Sequence, residues 1–189
     1  RIMPLRVLDA NGGGTAWALA AAMLYAVDPD GNPATDDGVH VINLSLGGTT
    51  RTRLLDSIAL LASCLPPDPT IAADDLSDAS YSGDQARCSG FGGAVVVAAA
   101  GNDSSKSLKI YPAAEGAYGL ISVAASSANG RLAGMSNSGN WIQIAAAGDG
   151  VTSSVPGGWG TWGGTSMAAP WVSGAAALLR SRAPGLTAK

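Results

Sequence analysis

The chain has 189 residues, 47% of them hydrophobic and 13% charged, with a net charge of −3 and 26 glycines. That length buries a core without metal or disulfide staples, and no apolar run reaches the roughly 20 residues that span a bilayer, so a soluble globular domain is expected, with no membrane partner. The 11 basic residues form no stripe and do not interleave with aromatics, which argues against nucleic acid as a partner. Glycine at about twice its average share predicts tight turns and close backbone approaches, not disorder.

In chain order, "RIMPLRVL" lacks the apolar core and cleavage site of a leader peptide and reads as a strand, "MPLRVL". Gly12 to Gly14 end it before a helix whose apolar face is expected to carry Trp17, Ala20, Ala21 and Leu24, at i, i+3, i+4 and i+7. "VHVINLSL" is a second strand and Leu54 to Ala62 a second helix. "AVVVAAA" and "LISVAA" are further strands. Continuous apolar strands alternating with helices predict an α/β fold with a doubly wound, mostly parallel sheet covered on both faces. The beginning at "RIMPLRVL" and the stop at "RSRAPGLTAK" lead us to expect a domain truncated at both ends.

Pro66 to Gly93 interrupts the alternation, and its length predicts either a functional surface insertion or a mobile segment. Cys64 and Cys88 bracket most of it. A disulfide pinning the insertion is the preferred reading, and two plain buried thiols the other. No metal-ligand cluster accompanies them.

Gly158, Gly160 and Gly163 spell G-x-G-x-x-G, yet tryptophans fill two of the gaps and no acidic residue follows Asp149, so the ribose-binding acid of a dinucleotide site is missing. There is neither a Walker loop nor a G-x-S-x-G elbow. The remaining candidate is "GTSMAAPWVSGAAALL", where Ser166 follows Gly163 and Gly164 at the start of an alanine-rich helix with Pro170 early enough to be tolerated. A serine there is ordinarily an N-cap. The alternative is a hydroxyl beside free helix N–H groups that can receive developing negative charge.

This segment, with Gly164, Thr165, Ser166, Ala168 and Pro170, resembles the nucleophile segment of subtilisin-like serine peptidases, the subtilases. "VINLSLGG" is similar to the family's substrate-edge strand, "LRVLDANGGG" to its other edge strand, and "VVVAAAGND" to the strand that ends at its oxyanion asparagine. The resemblance implies a secreted endopeptidase that forms a serine acyl-enzyme, with Ser166 as nucleophile and Asn102 as oxyanion donor. It places a polypeptide substrate against Gly12, Gly13 and Gly14 on one side and Ser45, Leu46 and Gly47 on the other. Ala98 to Gly101, with Ala99 and Ala100, and Ser45 to Gly47 would wall the pocket for the residue before the scissile bond. Thr165 would also bind substrate, Ile110 would sit near the pocket floor and shorten it, and Asp103 at the rim would favour a basic side chain.

The family's Asp-Thr/Ser-Gly and His-Gly-Thr-His motifs are not in the chain, and the single histidine, His40, falls in an expected buried strand. The chain alone is therefore expected to turn over little or no peptide, and a missing N-terminal portion or a propeptide is an expected partner. A non-catalytic peptide-binding relative of the same fold is the alternative. The chemistry requires no cofactor; structural calcium is compatible with the family, its ligands unassigned by the sequence.

Overall fold

A computed structural model describes residues 1–32, 35, 37–64, 93–115 and 120–188. Helix α1 (Ala16–Val27) leads to strand β1 (Val41–Leu44), then helix α2 (Arg53–Ser63), strands β2 (Val95–Ala99), β3 (Leu120–Ser126) and β4 (Ile144–Ala147), a hairpin of β5 (Val151–Val155) and β6 (Gly158–Trp162), and helix α3 (Thr165–Arg182). The first four strands form one parallel sheet in the order β1-β2-β3-β4, and β5 pairs antiparallel with β6.

Strand periodicity divides the core in two. On one face of β2, Val96 and Ala98 pack with Ile42 and Leu44 of β1 against Leu19 and Met23 of α1 and Leu55 and Ile58 of α2. On the other, Val95, Val97 and Ala99 meet Val123 and Ala125 of β3 and Ala168 and Ala169 of α3. Every residue of β2 is buried, as the apolar run "VVVAA" requires of a central strand covered on both sides. The doubly wound α/β arrangement expected from the sequence is thus formed, with helices on both faces.

Local signals fix the helix starts. Thr15 caps α1 by accepting from the Ala18 N–H at 3.1 Å, and Thr52 caps α2 by accepting from Leu55 at 3.3 Å. Helix α1 turns a different face inward from the one expected: Leu19, Ala20, Met23 and Ala26 are buried, while Trp17 is 73% exposed and Ala21 and Leu24 also face solvent. "AWALAAAMLYAV" is apolar nearly all round, so periodicity selects no face and contact with α2 decides it.

The strand expected over "MPLRVL" joins no ladder. Residues 1–6 are exposed and only Val7 reaches the core. Asp9 then closes a turn, its carboxylate accepting from the N–H groups of Asn11 and Gly13 at 2.8 and 2.9 Å, and the chain passes directly into α1. Most of the expected insertion, and Cys88, lie outside the described residues; Cys64 ends α2 in the left-handed conformation.

Candidate active site

The carboxyl ends of β1 and β2 meet the amino end of α3, the usual place for a site on a parallel sheet. Gly164 is the residue that caps α3, and no side chain bonds the cap, so Ser166 is the second residue of the helix and not its N-cap. Its hydroxyl donates instead to the Ser45 carbonyl at 3.1 Å, and the Ser45 hydroxyl donates to the Ser166 carbonyl at 2.8 Å. Asn43 extends the link, its Nδ2 donating to Ser45 Oγ at 3.0 Å and its Oδ1 accepting from the Ser173 hydroxyl at 2.9 Å. The local trace of this link in the sequence is an amide inside the otherwise apolar strand "VINL".

Asn102 follows β2 and the Gly101 turn. Its Oδ1 accepts from the Thr165 N–H at 2.8 Å and from the Thr165 hydroxyl at 3.0 Å, and Thr165 Oγ1 accepts from the Gly101 N–H at 3.1 Å. An N–H donor demands the oxygen of the amide, which fixes the flip of the Asn102 side chain. Its Nδ2 then lies beside Gly164, 3.3 Å from where a β-carbon would stand on that residue. The Ser166 N–H is one of the first N–H groups of α3, which have no acceptor within the helix and sit at its positive end. Thr165 thus ties Asn102 to the first turn of α3, the turn that carries the Ser166 hydroxyl and N–H.

Beside it, Ile110 occupies the space between the two backbone segments expected to wall a pocket. A β-carbon on Gly47 would come within 2.4 Å of Ile110 Cγ2. One on Gly101, whose φ is +104°, would come within 2.4 Å of both Ile110 Cγ1 and Asn137 Nδ2. Only glycine permits this close approach at both positions. The Ile110 segment is held in place by a two-way backbone bridge between Gly48 and Tyr111, at 3.0 and 2.8 Å.

The other expected site residues are distributed unevenly. Ala99 and Ala100 are buried and offer backbone alone, and Leu46 turns its side chain towards the α1–α2 core. Thr165 is fully buried; expected along the substrate, it is engaged with Asn102 and Gly101 instead. Gly12 to Gly14 are exposed, and Gly13 has both its N–H and its carbonyl tied to Asp9, which leaves the Gly12 carbonyl and Gly14 as the outward edge. Asp103 is exposed, with one carboxylate oxygen 3.3 Å from Asn137 Nδ2.

His40 is not a buried strand residue. It is exposed just before β1, and its carbonyl accepts from the Val95 N–H at 3.0 Å. That is the amino edge of the sheet, about 15 Å of strand from the carboxyl edge where Ser166 lies, so its imidazole does not reach the hydroxyl. Asn137 lies beneath the Asn102 turn and is absent from the sequence-derived site, because "MSNSG" reads locally as an ordinary polar turn. Away from the site, Asp28, Asp30 and Asp37 bring carboxylate oxygens within 4.8 Å of one another, an oxygen-only set of the kind that hard cations and solvated carboxylates share.

Comparison with known proteins identifies the family and the fold. The family model described as the subtilase family, peptidase S8, matches residues 1–189. A thermophilic serine proteinase of Bacillus sp. (strain AK1) is 36% identical over 183 residues, covering 96% of this chain and 36% of that protein. Subtilisin E of Bacillus subtilis (strain 168) is 32% identical over 187 residues, 97% of this chain and 39% of its own length. The crystal structure of a cold adapted subtilisin-like serine proteinase superposes with a TM-score of 0.69 at 26% identity, covering 97% of this chain and 54% of that one. The chain thus spans between about a third and about half the length of these proteins. With the whole chain matched by the family model and the fold shared, it belongs to the subtilase family.

Proposed function

We propose that this chain supplies the nucleophile, the oxyanion donors and both backbone edges of the substrate cleft of a subtilisin-like serine endopeptidase acting outside the cell. The observation that carries the reading is the Thr165–Asn102 pair. It commits Asn102 Oδ1 to two bonds and so leaves Nδ2 as the end of the amide that can donate to a developing charge. Ser166 Oγ attacks the peptide carbonyl, the carbonyl oxygen gains charge, and the two donors receive it, with no reorganisation needed at the moment of reaction. An extended polypeptide pairs with the Ser45–Gly47 backbone and with the Gly12–Gly14 edge, a mode tolerant of sequence. Ile110 shortens the pocket between Gly47 and Gly101, so small side chains are preferred before the scissile bond.

Proton transfer is the missing part. A serine hydroxyl needs a base oriented by an acid, and the chain's single histidine lies at the opposite sheet edge. The reading therefore requires a second segment, the Asp- and His-bearing N-terminal portion of such an enzyme. The chain alone is expected to hydrolyse no peptide at a useful rate.

The test is to mix the chain with the corresponding Asp- and His-bearing segment of a relative and follow cleavage of a peptide library. Turnover should appear only in the mixture and vanish in Ser166→Ala. It should fall about 10²–10³-fold in Asn102→Ala, the magnitude known for the oxyanion asparagine of a subtilisin. Peptide binding without turnover in the mixture would favour the non-catalytic reading, and turnover that survives Ser166→Ala would overturn the assignment of the nucleophile.

A further inference from the structure

Asn137 lies in the loop between β3 and β4 and is fully buried. Both ends of its amide are used. Oδ1 accepts from the N–H groups of Asp103 and Ser105 at 2.9 and 3.1 Å. Nδ2 approaches the carbonyls of Ala100 and Leu108 at 3.2 and 3.4 Å and the Asp103 carboxylate at 3.3 Å. Its backbone N–H donates to the Gly101 carbonyl at 3.0 Å. All of these partners belong to residues 100–108, and Gly101 and Asp103 flank Asn102 on either side.

The arrangement needs an amide. Two N–H donors converge on one end of the side chain and two backbone carbonyls face the other, so a carboxylate would set negative charge against carbonyl oxygens and against Asp103. An alanine would leave buried backbone groups unsatisfied, at the desolvation cost of each. Gly101 has the matching adaptation, since a β-carbon there would stand 2.4 Å from Asn137 Nδ2.

Asn102 is thus held in two ways: Thr165 fixes the flip of its side chain, and Asn137 grips the backbone on both sides of it. We propose that Asn137 is a positioning residue, one that fixes the 100–105 turn so that Asn102 Nδ2 is aimed at the oxygen bound to the carbon under attack by Ser166. The inference rests on the oxyanion role given to Asn102 above. It extends that role to a residue that touches neither substrate nor nucleophile.

The experiment compares binding of a peptide aldehyde with that of the matching peptide alcohol to the full chain, by titration calorimetry. The aldehyde accepts the Ser166 hydroxyl across its carbonyl. The Oγ–C bond forms, the π bond opens, and the hydroxyl proton passes through water to the new hemiacetal oxygen, which rests on Asn102. The alcohol occupies the same cleft and forms no such bond. Wild type should prefer the aldehyde, and Asn137→Ala should cut that preference by about ten- to a hundredfold, the order expected for a misplaced donor, with alcohol affinity unchanged. Asn137→Asp, which keeps the shape and both acceptor contacts, should give an intermediate loss and serves if the alanine variant does not fold.

An undiminished preference in folded variants would overturn the proposal while leaving the oxyanion reading intact. Equal weakening of both ligands, or failure of both variants to fold, would also overturn it, by showing a structural role alone. A wild-type chain that binds aldehyde and alcohol equally would overturn the oxyanion reading itself, and this proposal with it.

Discussion

Thr165 shows how a buried side chain can determine what an exposed one does. It is fully buried, donates through its N–H and its hydroxyl to Asn102 Oδ1, and accepts from the Gly101 N–H. Thr165→Val keeps the shape and deletes both hydroxyl bonds, leaving the Gly101 N–H without its acceptor. A loss of about 1–3 kcal/mol in unfolding free energy is expected, measurable as a lower urea midpoint. Thr165→Ser should restore most of it, because the hydroxyl returns even though a methyl group is lost. The bonds run between residues 63 and 64 apart in sequence, so no local pattern announces them.

At the scale of elements, α3 delivers Ser166 only because it lies close against the sheet. Ala168 and Ala169 are fully buried against β2 and β3, while Trp171, Leu178 and Leu179, elsewhere on the helix, are 60–70% exposed. Alanine at the contact lets the helix backbone approach the strands, and the first turn then meets the end of β1 through the reciprocal Ser45–Ser166 bonds. Ala169→Leu inserts three carbons into filled space and should cost about 1–3 kcal/mol by overpacking. Because the helix would have to move away from the sheet, the aldehyde preference should fall along with stability. Substitution at exposed Leu178 with a polar residue should leave both within about 0.5 kcal/mol.

The molecule as a whole should also carry a pH dependence, set away from the site. Arg51 bridges Asp56 of α2 at 3.0 Å and Glu115, beyond Pro112, at 3.1 Å. Burial, then the hydrogen bond and charge of Asp56, push the Glu115 carboxyl up from 4.5 to about 8 against the pull of Arg51. A carboxyl with a raised folded pKa binds its proton more tightly in the folded state. The stability it lends is complete below the ordinary carboxylate range and is lost as pH rises towards about 8, with a slope of up to about 1.4 kcal/mol per pH unit. Urea midpoints at pH 5, 7 and 9 should decline in wild type, and Glu115→Gln, which cannot ionise, should remove this component of the decline. Much of this organisation was legible in the sequence. Apolar runs such as "VVVAA" need cover on both faces wherever they fold, and the segments around Ser166 and Asn102 are long enough to mark a family. Tertiary structure alone decided which face of the uniformly apolar α1 is buried, that residues 1–8 stay outside the sheet, and that Thr165, Asn137 and Asn43 organise the site. Each depends on partners distant in sequence, whose geometry exists only once the two layers have packed.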